Sequence, residues 1–190
     1  MNEVDRCAAL VVEALEAEGL PYMLVGAYSS GAYAIPRGTK DVDIVLSAHT
    51  GAGFDGVIRR LEPHFTLDPQ ISFETITGSR RHILTARKNG GVQVELFLLG
   101  EDDFMQERFR RRRQELITQL DRRVWIPTAE DVIVQKLRWA RSKDLDDVRD
   151  VLAVQMTTGL DMPYIEHWCV RHGSLQKLQD ALESLPADLR

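Results

Sequence analysis

The chain has 190 residues, of which 44% are hydrophobic and 28% are charged, and its formal net charge is −5. These proportions are ordinary for a globular protein and argue against a disordered chain, while the negative charge argues against bulk nucleic-acid binding. The two cysteines, Cys7 and Cys169, match no metal or redox spacing, which favours a reducing compartment. Because the sequence shows neither a secretory signal nor a long apolar run, we expect a cytoplasmic protein without a membrane span.

The first part of the chain predicts helices alternating with strands. Hydrophobic periodicity and turn residues give, in order, a helix over 4–20, a strand over 22–25, a short helix over 27–34, a strand over 41–46, a helix over 54–61, and strands over 82–87 and 92–98. The segment Lys88-Asn89-Gly90-Gly91 predicts a hairpin turn between the last two strands, since asparagine and glycine tolerate positive φ angles.

The second part of the chain predicts helices only. Residues 102–123 are highly charged and receive no assignment, whereas after Pro127 the periodicity becomes helical. Thr128 is expected to cap the first of these helices. The predicted helices cover 129–141, 145–157, 161–170 and 174–185. We therefore expect a core domain over 1–127 and a C-terminal helical region over 128–190.

Two carboxylates stand out on the strand predicted over 41–46. Side chains two residues apart on a strand share a face, so Asp41 and Asp43 lie about 7 Å apart along the chain. Neighbouring carboxylates repel each other unless a cation lies between them, and Mg²⁺ prefers oxygen ligands of this kind. The alternative is an exposed strand face that carries two solvated acids.

Two further positions bear on that choice. Gly26 joins a strand to a short helix, which would leave backbone N–H groups free for a phosphate, although many α/β proteins turn this way for packing alone. Glu95 alternates with apolar residues on the strand over 92–98. It supplies a third carboxylate if the two strands are neighbours, and it is a solvated glutamate if its strand lies at an edge.

A lysine and two acids share the inward face of the helical region. Lys136 lies on the same helix face as Ile133 and Leu137, where it should either extend outward or meet an anion in a cleft. Asp144 and Asp147 continue that face. The alternative is that Asp144 is the N-cap of the next helix, with Asp147 in its first turn.

Two segments resemble the signature of the DNA polymerase beta-like nucleotidyltransferase superfamily, namely Leu24-Val25-Gly26-Ala27 and Pro36-Arg37-Gly38-Thr39-Lys40-Asp41-Val42-Asp43-Ile44-Val45. Lys136 and the segment Lys143-Asp144-x-x-Asp147 resemble motifs of its abortive-infection (type IV) toxin-like branch, the AbiEii-like nucleotidyltransferases. The resemblance implies an α/β (α+β) fold, in which a mixed sheet with flanking helices is followed by a C-terminal helical region.

The resemblance also implies an activity, the transfer of a nucleoside monophosphate from a nucleoside triphosphate to a hydroxyl on RNA, protein or a small molecule. Asp41, Asp43 and Glu95 would be the catalytic residues and would bind two Mg²⁺ ions, and either Asp43 or Glu95 would accept the proton of the hydroxyl. The nucleotide-binding residues that it implies are Gly26, Ala27, Ser29, Ser30, Arg37, Lys40, Lys136, Lys143, Asp144 and Asp147.

One position departs from the family pattern. Ala27 stands where the family usually has serine or a second glycine, so the backbone N–H remains but a hydroxyl is lost, and Ser29 or Ser30 is the expected replacement. This departure supports the alternative of a non-catalytic, nucleotide-binding relative. A third hypothesis is the toxin of a toxin–antitoxin pair, which has an antitoxin partner and an acceptor such as tRNA or another protein.

Two other sequence features are discounted. His167, Cys169 and His172 lack a fourth ligand at a recognisable spacing, so a surface helix is favoured over a zinc site. The arginine run over 110–113 is interrupted by nearby acids, which favours a solvated face over an RNA contact.

Overall fold

The computed structural model describes residues 1–47, 51–88 and 91–186. The helices are α1 (Glu3–Ala17), α2 (Ala27–Tyr33), α3 (Gly51–Leu61), α4 (Asp103–Arg111), α5 (Ala129–Trp139), α6 (Ser142–Gln155), α7 (Met162–His172) and α8 (Leu175–Glu183), with single 3₁₀ turns at Thr118–Leu120 and Met156–Thr158. The strands are β1 (Tyr22–Leu24), β2 (Asp41–Leu46), β3 (Phe65–Leu67), β4 (Ser72–Phe73), β5 (Arg80–Ala86), β6 (Gln93–Leu98), β7 (Arg113–Ile117) and β8 (Arg122–Ile126).

The main sheet is mixed and has the order β1-β2-β6-β5-β3, with the short strand β4 paired to β5. Strands β2 and β6 are parallel, whereas the other pairs of this sheet are antiparallel. Strands β7 and β8 form a separate antiparallel pair. The predicted fold class, a mixed sheet with flanking helices and a helical C-terminal region, is confirmed.

The two faces of β2 carry different side chains, as the alternation predicts. Val42, Ile44 and Leu46 belong to the large core, which also contains apolar residues of α1 and α5. On the other face Val45 packs in a smaller cluster with Met105 of α4. Helix α4 therefore covers this second face of β2 around Val45.

Some elements differ from the sequence prediction. Strands β3 and β4 were not predicted, because each has only two or three residues and turn-forming residues lie between them. Residues 102–123 contain α4, β7 and the start of β8. The sequence does not predict these elements, because the high charge of the segment hides its hydrophobic pattern. The predicted hairpin turn at Lys88–Gly91 includes Asn89 and Gly90, which lie outside the described residues.

The C-terminal helices pack against the rest of the chain. Helix α5 contacts α6 and α7, and both α5 and α6 contact α2. The large core contains residues from both sides of residue 127. The division at that residue therefore stays a prediction. No helix in the part of the chain that the structure describes is long and apolar enough to span a membrane.

Candidate active site

The parallel pairing of β2 and β6 brings the three predicted carboxylates together. The register places Asp43 beside Glu95, and Asp41 lies one step further along the same face of β2. All three residues line one open cleft of about 400 Å³, called here the acid cleft. Strand β6 lies between β2 and β5, so the alternative of an edge strand for Glu95 is wrong.

The acid cleft holds an excess of negative charge. The pKa of Asp43 is raised to about 7, first by burial and then by the charges of Asp41 and Glu95, and the more distant Lys136 and Lys143 offset this only in part. The Asp41 carboxylate accepts a hydrogen bond from the Thr39 hydroxyl at 2.7 Å. Within residues 1–47, 51–88 and 91–186, neither aspartate forms an ion pair.

The third carboxylate has a cationic partner that the sequence analysis missed. The Arg81 guanidinium of β5 lies 2.9 Å from Glu95 Oε2 and also donates to the Ser72 hydroxyl at 2.9 Å. Arg81 faces Phe97 in the register, so Glu95 is its diagonal neighbour, within reach of a long side chain. The strand predicted from residue 82 stopped one position short of this arginine.

The donor set of the acid cleft fits a divalent metal in its chemistry. Three carboxylates on two adjoining strands supply the oxygen ligands that Mg²⁺ prefers, and burial together with their mutual repulsion raises the pKa of Asp43. However, no three histidine, cysteine, aspartate or glutamate residues in the described ranges are arranged as a ready metal site. The Glu95 carboxylate is engaged by Arg81 instead.

Gly26 lies against Asp43, one of the acids that line the acid cleft. Its φ angle is +63°, and a Cβ atom at this position would lie 2.3 Å from Asp43 Oδ2. Only glycine therefore fits here, both for its backbone conformation and for its close approach to the carboxylate. The next residue, Ala27, is the first residue of α2.

The two serines proposed to replace the lost hydroxyl point elsewhere. Ser29 and Ser30 are buried, and their hydroxyls donate to the Gly26 carbonyl at 3.0 and 3.2 Å. Neither residue is among those that line the acid cleft. Their placement gives no support to a direct phosphate contact by these side chains.

Lys136 is the centre of a second charged group, called here the lysine cluster. Its ammonium is buried and lies 3.1 Å from Asp144 Oδ1 and 2.5 Å from Asp147 Oδ2. Arg37 binds Asp147 through two nitrogens at 2.7 and 2.9 Å, and Arg141 Nε lies 2.6 Å from Asp144. The cluster thus contains three cations and two carboxylates.

Burial acts to raise the pKa of both carboxylates in the lysine cluster, but their cationic partners outweigh it. Hydrogen bonds from Arg141 and Lys136 leave the pKa of Asp144 below its usual value, and those from Arg37 and Lys136 do the same for Asp147. The alternative of Asp144 as an N-cap is wrong, because α6 begins at Ser142. The Asp144 carboxylate instead accepts a hydrogen bond from the Arg141 N–H at 3.3 Å.

The remaining wall of the acid cleft is cationic and apolar. Besides Asp41, Asp43 and Glu95 the cleft is lined by Phe73, Glu74, Thr75, Ile76, Arg81, Phe97, Trp139, Arg141 and Lys143. The Arg141 guanidinium lies over the Trp139 ring at 5.0 Å. Of the predicted cations, only Lys143 lines this cleft, since Lys40 is exposed elsewhere and Arg37 lines another pocket together with Ala27.

The discounted features are explained by contacts inside the chain. In the run over 110–113, Arg110 pairs with Glu107 and Arg111 lies near the buried Asp131, so acids of the chain itself neutralise part of the run. His172 packs against Phe104 and Trp168, and burial lowers its pKa to about 4.

The mixed sheet, its flanking helices and the helical C-terminal region define a nucleotidyltransferase-type fold. The chain is similar to an antigenic nucleotidyltransferase-like protein from Paracoccidioides brasiliensis, with 17% identity and a TM-score of 0.58 over 96% of this chain and 93% of that one. It is also similar to ANT(2'')-Ia in complex with adenylyl-2''-tobramycin, with 13% identity and a TM-score of 0.59 over 90% and 97% of the two chains.

A third similar structure is the lincomycin-bound lincosamide antibiotic adenylyltransferase LnuA, with 14% identity and a TM-score of 0.52 over 81% of this chain and 98% of that one. At these identities the similarity shows the fold. No model of a known protein family matches the sequence, and no curated protein matches it. The finer resemblance to the abortive-infection branch stays a prediction.

Proposed function

We propose that the chain is a nucleotidyltransferase that moves a nucleoside monophosphate from a nucleoside triphosphate to a hydroxyl acceptor. The observation that carries this proposal is the acid cleft, where Asp41, Asp43 and Glu95 meet on two parallel strands of a nucleotidyltransferase-type sheet. Unbalanced negative charge is costly in a folded protein, and the raised pKa of Asp43 records that cost. A cationic ligand would remove it.

In this proposal Asp41, Asp43 and Glu95 hold two Mg²⁺ ions, which when bound would polarise the transferred phosphoryl group and neutralise the departing pyrophosphate. Asp43 is the acceptor that we propose for the proton of the attacking hydroxyl, because it forms no ion pair in the described residues, whereas Glu95 is paired with Arg81. Its position beside Gly26 would bring that proton close to the backbone of the β1–α2 turn.

The phosphates of the nucleotide would lie between the β1–α2 turn and the cationic wall. Gly26 offers a close approach to the backbone, and Lys143 and Arg141 line the same cleft as the acids. Lys136 is already held by two carboxylates. We therefore propose that Lys136 acts on the nucleotide indirectly, by fixing the helix start that carries Arg141 and Lys143.

The decisive measurement is equilibrium binding of labelled nucleoside triphosphates with and without Mg²⁺. Replacing both aspartates, Asp41→Asn with Asp43→Asn, removes the charge that would hold the cation, and we expect metal-dependent binding to weaken at least about 10-fold. The control is Asp146→Asn with Asp150→Asn, two exposed acids of α6 that should leave binding unchanged. Equal binding by the wild type and the Asp41/Asp43 variant would remove the proposal.

The second candidate is a non-catalytic relative that binds the nucleotide, and Ala27 is the observation that favours it. The hydroxyl that the family usually carries there is absent, and Ser29 and Ser30 are engaged by the Gly26 carbonyl. This candidate predicts nucleotide binding without pyrophosphate release for RNA, protein and small-molecule acceptors. Pyrophosphate release with any of them would exclude it.

The acceptor distinguishes a housekeeping enzyme from a toxin. Two similar structures contain antibiotic ligands, tobramycin in adenylylated form and lincomycin, so small molecules belong in the acceptor panel beside tRNA and protein. Expression in cells tests the toxin hypothesis, which predicts growth arrest that is absent in the Asp41/Asp43 variant and is relieved by an antitoxin partner.

A further inference from the structure

Arg81 connects three strands at the edge of the acid cleft. Its Nε donates to Ser72 on β4 and its Nη1 lies 2.9 Å from Glu95 on β6, while Arg81 itself belongs to β5. The ion pair is only partly exposed, with 30% of the Arg81 side chain and 18% of the Glu95 side chain accessible. Two fixed contacts therefore hold the guanidinium against this one carboxylate.

The same carboxylate is the one that the proposed metal site requires. Glu95 is beside Asp43 in the parallel register, and its charge contributes to the raised pKa of Asp43. Despite this proximity, no three acids in the ranges that the structure describes are arranged as a metal site. The Arg81 guanidinium occupies one of the three carboxylates, at 2.9 Å from Glu95 Oε2.

We infer that Arg81 is a positioning residue that competes with a divalent cation for Glu95. The inference rests on the proposed function, because it takes the acid cleft as the metal site. A cation that enters the cleft must separate Glu95 from Arg81 before it can use the third carboxylate. Arg81 thereby weakens metal binding in the nucleotide-free protein, and the freed guanidinium stays beside the cleft, tethered through Ser72.

The test measures binding of Mn²⁺ alone, without nucleotide, by electron paramagnetic resonance. Arg81→Gln removes the competing charge, and we expect the dissociation constant to fall about 3- to 10-fold, in line with a partly exposed ion pair plus the loss of cation–cation repulsion. The matched control is Arg80→Gln, the neighbouring arginine, whose side chain lies on the opposite face of β5. We expect its effect to stay within about twofold.

Two further variants secure the result. The double variant Arg81→Gln with Glu95→Gln should bind Mn²⁺ no more tightly than the wild type, because the carboxylate that Arg81→Gln makes available is then absent. Ser72→Ala removes the tether alone, in a protein that keeps its guanidinium, and should give a gain that is smaller than that of Arg81→Gln but larger than any change in Arg80→Gln. This variant serves the test even if Arg81→Gln folds poorly.

The inference is overturned if Mn²⁺ binds no more tightly to Arg81→Gln and Ser72→Ala than to the wild type. If the wild type binds Mn²⁺, and the Asp41/Asp43 variant loses that binding, such a result defeats the inference about Arg81 while the proposed metal site stands. If neither the wild type nor Arg81→Gln binds Mn²⁺, both the inference and the metal site fail. Binding by Arg81→Gln but not by the wild type would be the strongest support.

Discussion

The acid cleft and the lysine cluster contain the same kinds of side chain and differ in how their charges are balanced. In the lysine cluster Asp144 and Asp147 accept hydrogen bonds from three cations, and the pKa of both carboxylates is lowered. In the acid cleft the pKa of Asp43 is raised to about 7. Burial acts to raise the pKa of all three carboxylates. The neighbouring acids add to this effect at Asp43, whereas cationic partners outweigh it at Asp144 and Asp147.

We propose that this difference separates a structural role from a binding role. A charge that is paired inside the chain needs no ligand, and the ion pair itself can hold two segments together. Arg37, for example, links the segment before β2 to Asp147 of α6. A charge without a partner is destabilising by itself, and it is retained when something outside the chain neutralises it. The sequence alone treats Lys136, Asp144 and Asp43 as members of one site. In the structure Lys136 and Asp144 belong to the lysine cluster and Asp43 to the acid cleft, and Arg141 contacts both groups.

Replacing Lys136 should have the largest effect on stability. Lys136→Met leaves two buried carboxylates with fewer partners, and we expect the free energy of unfolding to fall by about 3–5 kcal/mol. Urea denaturation measures the change. The control is Lys143→Met, an exposed lysine seven residues further along the chain, which should change stability by no more than about 0.5 kcal/mol.

Unchanged stability with lost nucleotide binding would contradict the distinction between the lysine cluster and the acid cleft. If Lys136→Met unfolds like the wild type but no longer binds nucleotide, Lys136 contacts the ligand directly, as the resemblance implied.

Replacing Gly26 should have a smaller effect that reaches the acid cleft. Gly26→Ala forces a positive φ on alanine and brings a methyl group against Asp43, so we expect a loss of about 2 kcal/mol and displacement of that carboxylate. Thermal unfolding and nucleotide binding measure the two consequences. Gly38→Ala is the control, since a Cβ at Gly38 meets no atom within 4 Å. A fully active Gly26→Ala protein would show that the close approach is dispensable.

Replacing Asp43 should stabilise the metal-free protein, and the effect should depend on pH. The pKa of Asp43 is about 7 in the folded state and 3.8 in the unfolded state. Between about pH 4 and pH 7 the Asp43 carboxyl is therefore protonated in the folded state but ionised in the unfolded state. The carboxylate therefore destabilises the protein fully above pH 7 and progressively less towards pH 4. In the presence of EDTA, Asp43→Asn should gain about 1–2 kcal/mol at pH 8, and the gain should shrink as the pH falls.

Asp146→Asn, an exposed acid on α6, is the matched control for that pH series and should show no comparable trend. If Asp43→Asn is less stable than the wild type at pH 8 without metal, the negative charge of the acid cleft is already balanced inside the chain. The contrast with the lysine cluster would then be wrong.

The parts of the fold that depend on local pattern were predictable from sequence. The bounds of β2 follow from its alternating acidic and apolar residues, and the pattern of β6 correctly places Glu95 opposite to Val94 and Leu96. The neighbouring position of these strands had to be supposed, because alternation fixes a face but not a partner strand.

The missing parts depend on contacts between distant residues. The Arg37–Asp147 pair joins residues 110 positions apart, and no local pattern indicates it. The sequence does not single out Arg81, because its role depends on β4, a strand of two residues. Of the two alternatives for Lys136, extending outward or meeting an anion, the structure shows the second, and the anions are Asp144 and Asp147.

The parallel pairing of β2 with β6 also has a consequence for folding. Asp43 and Glu95 become neighbours only when these strands join, and the whole chain from residue 44 to residue 94 lies between them. Contacts of such high sequence separation form slowly, because the loop must close before they stabilise anything. A nascent or partly folded chain consequently has no acid cleft. Any reaction that requires the acid cleft therefore occurs only in the completely folded protein.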